Sequence, residues 1–268
     1  GDWIIADQNA HASIVDGAIL SKANVRFFRH NNPADLERKL KQATGKKLVA
    51  IEGVYSMDGD VCPLPELVEV AKRYGARIML DEAHSAFVYG DNGRGVAEMY
   101  DLEDEVDIHV GTFSKALGGQ GGYVAGSRKL YDYLRGFARA RVFSCALAPA
   151  VTAGVLKSLE LAQQEPELRE RLWSNVRHIR RRLDEEGVDV GDSTSQVIPV
   201  MVRNDRRIFE LGHKLLRAGL YLQPVIYPAV AKHRSRFRVS ISASHTCEQL
   251  DEGVSILVRV LREEGVMV

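Results

Sequence analysis

Short apolar runs alternate with amphipathic stretches through the first half of the chain. Trp3–Ala6, Val25–Phe28, Leu48–Ile51, Arg77–Asp81, Asp107–Thr112 and Gly122–Gly126 read as strands. Helical patterns at Ala12–Leu20, Asn32–Thr44 and Pro65–Tyr74 lie between the first four. Pro33 and Asp35 suit a helix start, and Gly75 suits a helix end. Buried strands alternating with helices predict an α/β fold with a mostly parallel sheet.

The texture changes near residue 150. Ala150–Gln164 and Pro166–Glu186 read as two long helices, the second strongly charged. Val197–Val202, Tyr221–Val225 and Phe237–Ser242 follow as strands. Ile208–Ala218 and a closing Cys247–Glu264 read as helices. The expected division is a large domain over 1–150, then a helical connector and small α+β domain over 151–268.

Composition narrows the function classes. The chain has 268 residues, with 36 basic and 36 acidic side chains and a formal net charge of zero. No global field favours nucleic acid or an anionic membrane. The local run Arg180-Arg181-Arg182 is followed by Asp184, Glu185 and Glu186, and reads as the solvated face of a helix. Cys62, Cys145 and Cys247 are far apart and form no CxxC pair. The spacing suggests neither a disulfide framework nor a zinc site, and the expected compartment is a reducing cytoplasm. No apolar run approaches the ~18 residues of a membrane span. No HExxH or other histidine–carboxylate cluster points to a metal.

The candidate chemistry sits where strands end. In open α/β sheets, ligands bind outside the carboxyl ends of the strands. Asp7 and His11 follow the first run, Glu52 to Asp60 the third, Asp81 to His84 the next, and Thr112 to Lys115 the one after. A lysine on a loop of small and hydroxylated residues suits imine formation with pyridoxal 5'-phosphate (PLP). An aspartate at the mouth of a buried strand suits a protonated pyridine nitrogen. His84 would donate to the phenolic oxygen and His11 would lie on the ring face. Taken alone, Lys115 also reads as a solvated turn residue and Asp81 as a cap on the next helix. Gly118-Gly119-Gln120-Gly121-Gly122 does not complete a GxGxxG, and no P-loop motif occurs.

In order and spacing, these pieces resemble the α-oxoamine synthases, a family of fold-type I PLP enzymes. The matching stretches are Asp7-x-x-x-His11-Ala12-Ser13, Arg29-His30-Asn31, Glu52 to Asp60 and Asp81-Glu82-Ala83-His84-Ser85. Further on come Asn92-Gly93-Arg94-Gly95, Gly111-Thr112-Phe113-Ser114-Lys115, Arg236 to Ser240 and Ala243-Ser244-His245-Thr246. The resemblance implies condensation of an amino acid with an acyl-CoA, usually with decarboxylation, in a homodimer. It implies Lys115 as the lysine that binds the cofactor and moves the α-proton. It implies Asp81 on the pyridine nitrogen, His84 on the phenolic oxygen and His11 on the ring. It further implies Ser56 beside the ring substituents, Thr112 on the phosphate and Arg238 on the substrate carboxylate.

The member is less sharply marked. Several motifs, with Glu170 to Asn175, look most like bacterial serine palmitoyltransferases. Ile226-Tyr227-Pro228 resembles glycine-using members such as 2-amino-3-ketobutyrate CoA ligase and 5-aminolevulinate synthase. Met57 to Asp60 resembles 8-amino-7-oxononanoate synthases. At Ser144-Cys145-Ala146 the chain keeps one of two hydroxyls that reach the neighbouring subunit's phosphate in the family. Family members carry on the order of a hundred residues ahead of the matching start. A non-catalytic partner subunit or an inactive fragment is therefore the expectation of another class.

Overall fold

The computed structural model describes residues 1–267. Two compact units emerge. The first takes Gly1–Tyr55 with Cys62–Pro166, and the second takes Ser56–Val61 with the chain from Glu167 on. The sequence reading expects the division after residue 150. Instead, the helix Pro149–Gln164 groups with the first unit, and six residues from the middle of the large region group with the second.

A six-stranded sheet organises the first unit. Its strands are β1 (Trp3–Asp7), β2 (Asn24–Phe28), β3 (Lys47–Glu52), β4 (Arg77–Asp81), β5 (Ile108–Thr112) and β6 (Gly122–Gly126). The order is β2-β1-β3-β4-β5-β6. The first five run parallel, and β6 returns antiparallel to β5. The expected α/β class with a mostly parallel sheet is present. The last four residues of β3 are all buried. That explains its continuous apolar run, because a central parallel strand is covered on both faces.

Helices α1 (Ala12–Leu20), α2 (Pro33–Gln42) and α3 (Leu64–Arg73) connect the parallel strands. Asn32 caps α2 by accepting from the Asp35 N–H, with Pro33 in the first turn. In α3, Leu64, Leu67, Val68 and Ala71 fall on one buried face. Each leucine so buried contributes roughly 1.5–3 kcal/mol. Gly75 follows α3 at φ 62°, donating to the Lys72 carbonyl, and so ends the helix as its sequence position suggests.

Four elements escape the sequence pattern. They are α4 (Val96–Met99), a 3-10 turn at Glu103–Glu105, α5 (Arg128–Phe137) and α6 (Arg139–Val142). Helix α7 (Pro149–Gln164) completes the unit. Tyr131, Tyr133 and Phe137 of α5, Phe143, and Leu156 of α7 are all exposed. Helix α5 has no buried residue, although Leu130, Tyr133, Leu134 and Phe137 fall on one of its faces.

In the second unit, an antiparallel sheet of order β7-β9-β8 is built from β7 (Val197–Met201), β8 (Gln223–Val225) and β9 (Arg236–Ser240). Helices α8 (Glu167–Glu185), α9 (Arg207–Arg217) and α10 (Cys247–Glu263) accompany it. The core joins Ile179 and Leu183 of α8, Ile198 of β7, Phe237 of β9, and Val254 and Leu257 of α10. A capping box between Thr246 and Gln249 starts α10.

The segment 56–61 is integral to this second unit. Gly59 has φ 69°, and a Cβ there would lie 2.0 Å from the Val197 carbonyl oxygen. Only glycine meets both conditions. The Gly59 carbonyl in turn accepts from the N–H groups of Thr194 and Ser195. One sequence expectation fails here. Arg180 is not a solvated arginine, because its guanidinium donates to the carbonyls of Ser193 and Ser195 and to Ser193 Oγ at 2.6–2.8 Å. Its neighbour Arg181 stays exposed.

Candidate active site at the carboxyl edge of the sheet

Strands β1, β3, β4 and β5 are consecutive in the sheet and parallel, so their carboxyl ends share one edge. Asp7, Glu52, Asp81 and Thr112 are the last residues of those four strands. The topology therefore brings together the four loops that the sequence singles out.

At the end of β1, Asp7 is fully buried and well supplied with donors. It accepts from the N–H groups of Asn9 (2.8 Å) and Asn31 (2.9 Å), and pairs with His30 Nδ1 at 2.9 Å. The His30 ring meets Tyr55 edge-on, with centroids 4.4 Å apart. Four residues beyond Asp7, His11 is exposed and serves as the N-cap of α1. Its Nδ1 accepts from the Ser13 N–H at 3.3 Å and lies 2.8 Å from Ser13 Oγ. That contact places the ring proton on Nε2 when the imidazole is neutral. The His11 main-chain N–H donates to Glu52 Oε1 at 2.5 Å.

Glu52 ends β3 opposite Asp81 of β4. Burial pushes its carboxyl up to about 8, and the Asp81 and Asp7 carboxylates push the same way. The His11 N–H and the Lys115 ammonium oppose them. Next to it, the Gly53 N–H donates to the Asp81 carbonyl at 2.9 Å and ties the two loops together.

Asp81 is partly exposed at the mouth of the sheet and accepts from the Ala83 N–H at 2.8 Å. Burial raises its pKa, opposed by that N–H and by the positive charges of Lys115 and His11. The Ala83 contact makes Asp81 the acceptor of a turn N–H rather than the cap of a helix. His84 lies half-buried on the turn that follows. That turn is anchored by Glu82, whose buried carboxylate accepts from the N–H groups of Val96 and Ala97 at 2.9 Å and from the Ser85 hydroxyl. Burial raises the Glu82 pKa against these three donors.

Beyond β5, Thr112 Oγ1 donates to the Gly121 carbonyl at 3.0 Å and lies 2.8 Å from Ser114 Oγ. The Phe113 N–H also bonds to Gly121, closing the loop. Lys115 is exposed on this loop. Ser144 is exposed between α6 and α7, away from any strand end, with Oγ 3.5 Å from the Arg141 carbonyl. The other two candidates belong to the second unit. Ser56 is buried there, and half-buried Arg238 on β9 points one Nη2 donor at Gln223 Oε1, 3.4 Å away.

The sequence pattern by itself points to no role for Glu52, Asp7 or Glu82. The signal was present for Glu52, because an acidic residue directly closing an apolar strand is costly to bury unless it is used. No group of three or more potential metal ligands occurs among the described residues.

The family model for aminotransferases of class I and II matches residues 1–257. The chain belongs to that family. Within it, the chain is a member of the α-oxoamine synthases, as two relatives indicate. It is 42% identical over 270 residues to an 8-amino-7-oxononanoate synthase of Symbiobacterium thermophilum, covering 100% of this chain and 69% of the relative. It is 41% identical over 264 residues to a serine palmitoyltransferase of Sphingobacterium spiritivorum, covering 98% and 66%. A variant serine palmitoyltransferase from S. paucimobilis, solved with a bound PLP–myriocin aldimine, superposes with a TM-score of 0.96 at 38% identity, covering 100% and 68%. This α-oxoamine synthase thus has the fold-type I architecture and spans about two thirds of those relatives' length. No helix among its described residues is long and apolar enough to cross a membrane.

Proposed function

We propose that this chain is the catalytic part of a PLP-dependent acyltransferase that condenses an amino acid with an acyl-CoA to give an α-oxoamine. The observation that carries the reading is the shared strand edge, where Asp81 faces the charges of Lys115 and His11. The side chains there suit the groups PLP presents. An acceptor-only carboxylate suits a cationic ring nitrogen, an amine suits an aldehyde, and hydroxyls suit a phosphate.

When bound, PLP supplies an electron sink for charge developing at the amino acid's α-carbon. Asp81 would hold the proton on the ring nitrogen, and its partial burial strengthens that pairing. His84 would donate to the phenolic oxygen, and Thr112 to the phosphate. His11 would cover one ring face and keep water from it. Lys115 would hold the cofactor, then take the α-proton and return one later. Arg238 is assigned the carboxylate of the amino acid, for which a planar guanidinium is well shaped. Ser56 is assigned to the ring substituents, and Ser144 to the phosphate of the neighbouring subunit.

A serine palmitoyltransferase-like specificity fits the motifs around Asp81 and Lys115. An 8-amino-7-oxononanoate synthase-like specificity fits Met57 to Asp60 and the relative from Symbiobacterium equally well. A second copy of the chain is the assigned partner, and the exposed aromatic residues of α5 and Phe143 suit such an apolar interface. Three free cysteines suit a reducing cytoplasm.

The test is PLP-dependent release of CoA across a panel of amino acids and acyl-CoAs, together with borohydride trapping of the cofactor. Wild type should release CoA and carry a trapped adduct on Lys115, and Lys115→Ala should do neither. Trapping on another lysine, or CoA release by Lys115→Ala at the wild-type rate, would refute the assignment.

A further inference from the structure

Three buried carboxyls, Asp7, Glu52 and Glu82, cluster at the sheet edge, and they are unequally compensated. Asp7 receives three donors and Glu82 three. Glu52, only 4% exposed, receives one described donor, the main-chain N–H of His11. A buried carboxyl with so little compensation is not explained by stability. What Glu52 does hold is the one residue of that loop whose side chain is assigned to the cofactor. His11 is exposed, so packing does not fix it. Its ring is tied to Ser13, and its main chain is tied to Glu52.

We propose that Glu52 is a positioning residue: its carboxyl anchors the His11 main chain to the end of β3 and thereby sets the imidazole where it meets the cofactor ring. This rests on the reading of His11 as the ring-covering residue. Burial holds this anchor in the acid form, although the His11 N–H by itself favours the carboxylate. The groups facing Glu52 are the Asp81 carboxylate from β4, the Asp7 carboxylate from β1, Lys115 from the loop after β5, the His11 N–H, and Tyr55, whose hydroxyl lies 3.5 Å from the Glu52 main-chain N–H. Burial, helped by two anions, outweighs the His11 N–H and one ammonium, so Glu52 keeps its proton to about pH 8. Protonated, it accepts from His11 through its carbonyl oxygen and adds no further anion beside Asp81. Above that pH, a new negative charge appears at the sheet edge.

The experiment is PLP binding by the apoprotein, followed by fluorescence below and above pH 8, in wild type, His11→Ala, Glu52→Gln and Glu52→Leu. Amide hydrogen exchange at His11 is measured alongside. The expected result is that His11→Ala and Glu52→Leu each weaken PLP binding about tenfold, the loss of roughly one hydrogen-bonded contact. Glu52→Gln, which keeps the acceptor, should bind PLP within about twofold of wild type and lose the inflection near pH 8. The His11 amide should be protected in wild type and in Glu52→Gln. If Glu52→Leu does not fold, the exchange rate and the Glu52→Gln inflection still decide the matter. Weak binding by His11→Ala with normal binding by Glu52→Leu would overturn the role of Glu52 alone. Fast exchange at His11 in wild type, or an inflection that survives in Glu52→Gln, would do the same. Normal binding by His11→Ala would remove the reading of His11 on which the inference stands.

Discussion

Arg236, 2% exposed on β9, donates through Nη1 to Asp58 Oδ1 at 2.7 Å and to the Met57 carbonyl at 2.8 Å. A buried guanidinium is tolerated only with such partners, so this pair holds 56–61 in the second unit. Removing one member of a buried pair leaves an uncompensated charge and costs roughly 3–5 kcal/mol. Asp58 is partly exposed and water softens that loss, so Asp58→Ala should lose about 3 kcal/mol in urea unfolding. Asp58→Asn, which keeps an acceptor oxygen, should lose less. Equal loss in both would show that the acceptor oxygen is not what matters.

Glu52 makes the stability of the apoprotein depend on pH in a direction opposite to an ordinary salt bridge. Its folded carboxyl titrates near 8, above the ordinary value of 4.5. Between those values the folded state holds a proton that the unfolded chain has released. Stability from this group is therefore complete below about pH 4.5 and declines as pH rises through about 8. Glu52→Gln should flatten that decline. Chemical unfolding at a series of pH values checks it, and a slope unchanged in Glu52→Gln would refute it.

Arg238 should act on the amino acid and not on the acyl donor. Loss of a charged hydrogen-bonded contact is worth roughly 1.5–3 kcal/mol, so Arg238→Ala should raise KM for the amino acid about ten- to a hundredfold. Arg238→Lys should recover only part of this, because a point charge does not reproduce a bidentate fork. Steady-state kinetics in each substrate separately would decide it. A matching rise in KM for the acyl-CoA would count against the assignment.

Gly53 should tolerate no side chain. An added Cβ would sit 2.6 Å from Ser85 Oγ and 2.7 Å from Glu82 Oε2, in the network that fixes the turn carrying His84. Gly53→Ala should cost about 1–3 kcal/mol by overpacking. It should also weaken PLP binding more than an equally destabilising change in the core of the second unit, such as Val254→Ala. Thermal unfolding and PLP titration of both variants make the comparison.

The sheet was legible in the sequence because its strands obey simple rules. Arg77–Asp81 and Gly122–Gly126 carry their bounds on their faces, and β3 extends its predicted run by one polar residue at each end. The loops were legible because chemistry-bearing residues directly follow those runs. Helix α5 is the opposite case, since Leu130, Tyr133, Leu134 and Phe137 fall at helical spacing yet none of them is buried. The contacts of Arg180 are not legible in its own helix, because Ser193 and Ser195 lie beyond the helix end and reach it only through tertiary packing. Glu52 was visible as a strand end, but its link to His11 spans 41 residues and no local pattern encodes it.

The placement of Ser56–Val61 has a consequence for how this chain can be recombined. The smaller unit is encoded by two separated stretches, with a contiguous run of the larger unit between them. A chimera joined only at 166/167 would pair its Arg236 with a foreign 56–61 segment, and would seat a foreign residue 59 against the Val197 carbonyl. Crossovers that exchange both stretches together keep an acid for the buried guanidinium and a glycine for the left-handed position. Viable shuffling within this family is therefore expected to inherit 56–61 from the same parent as the carboxyl-terminal hundred or so residues.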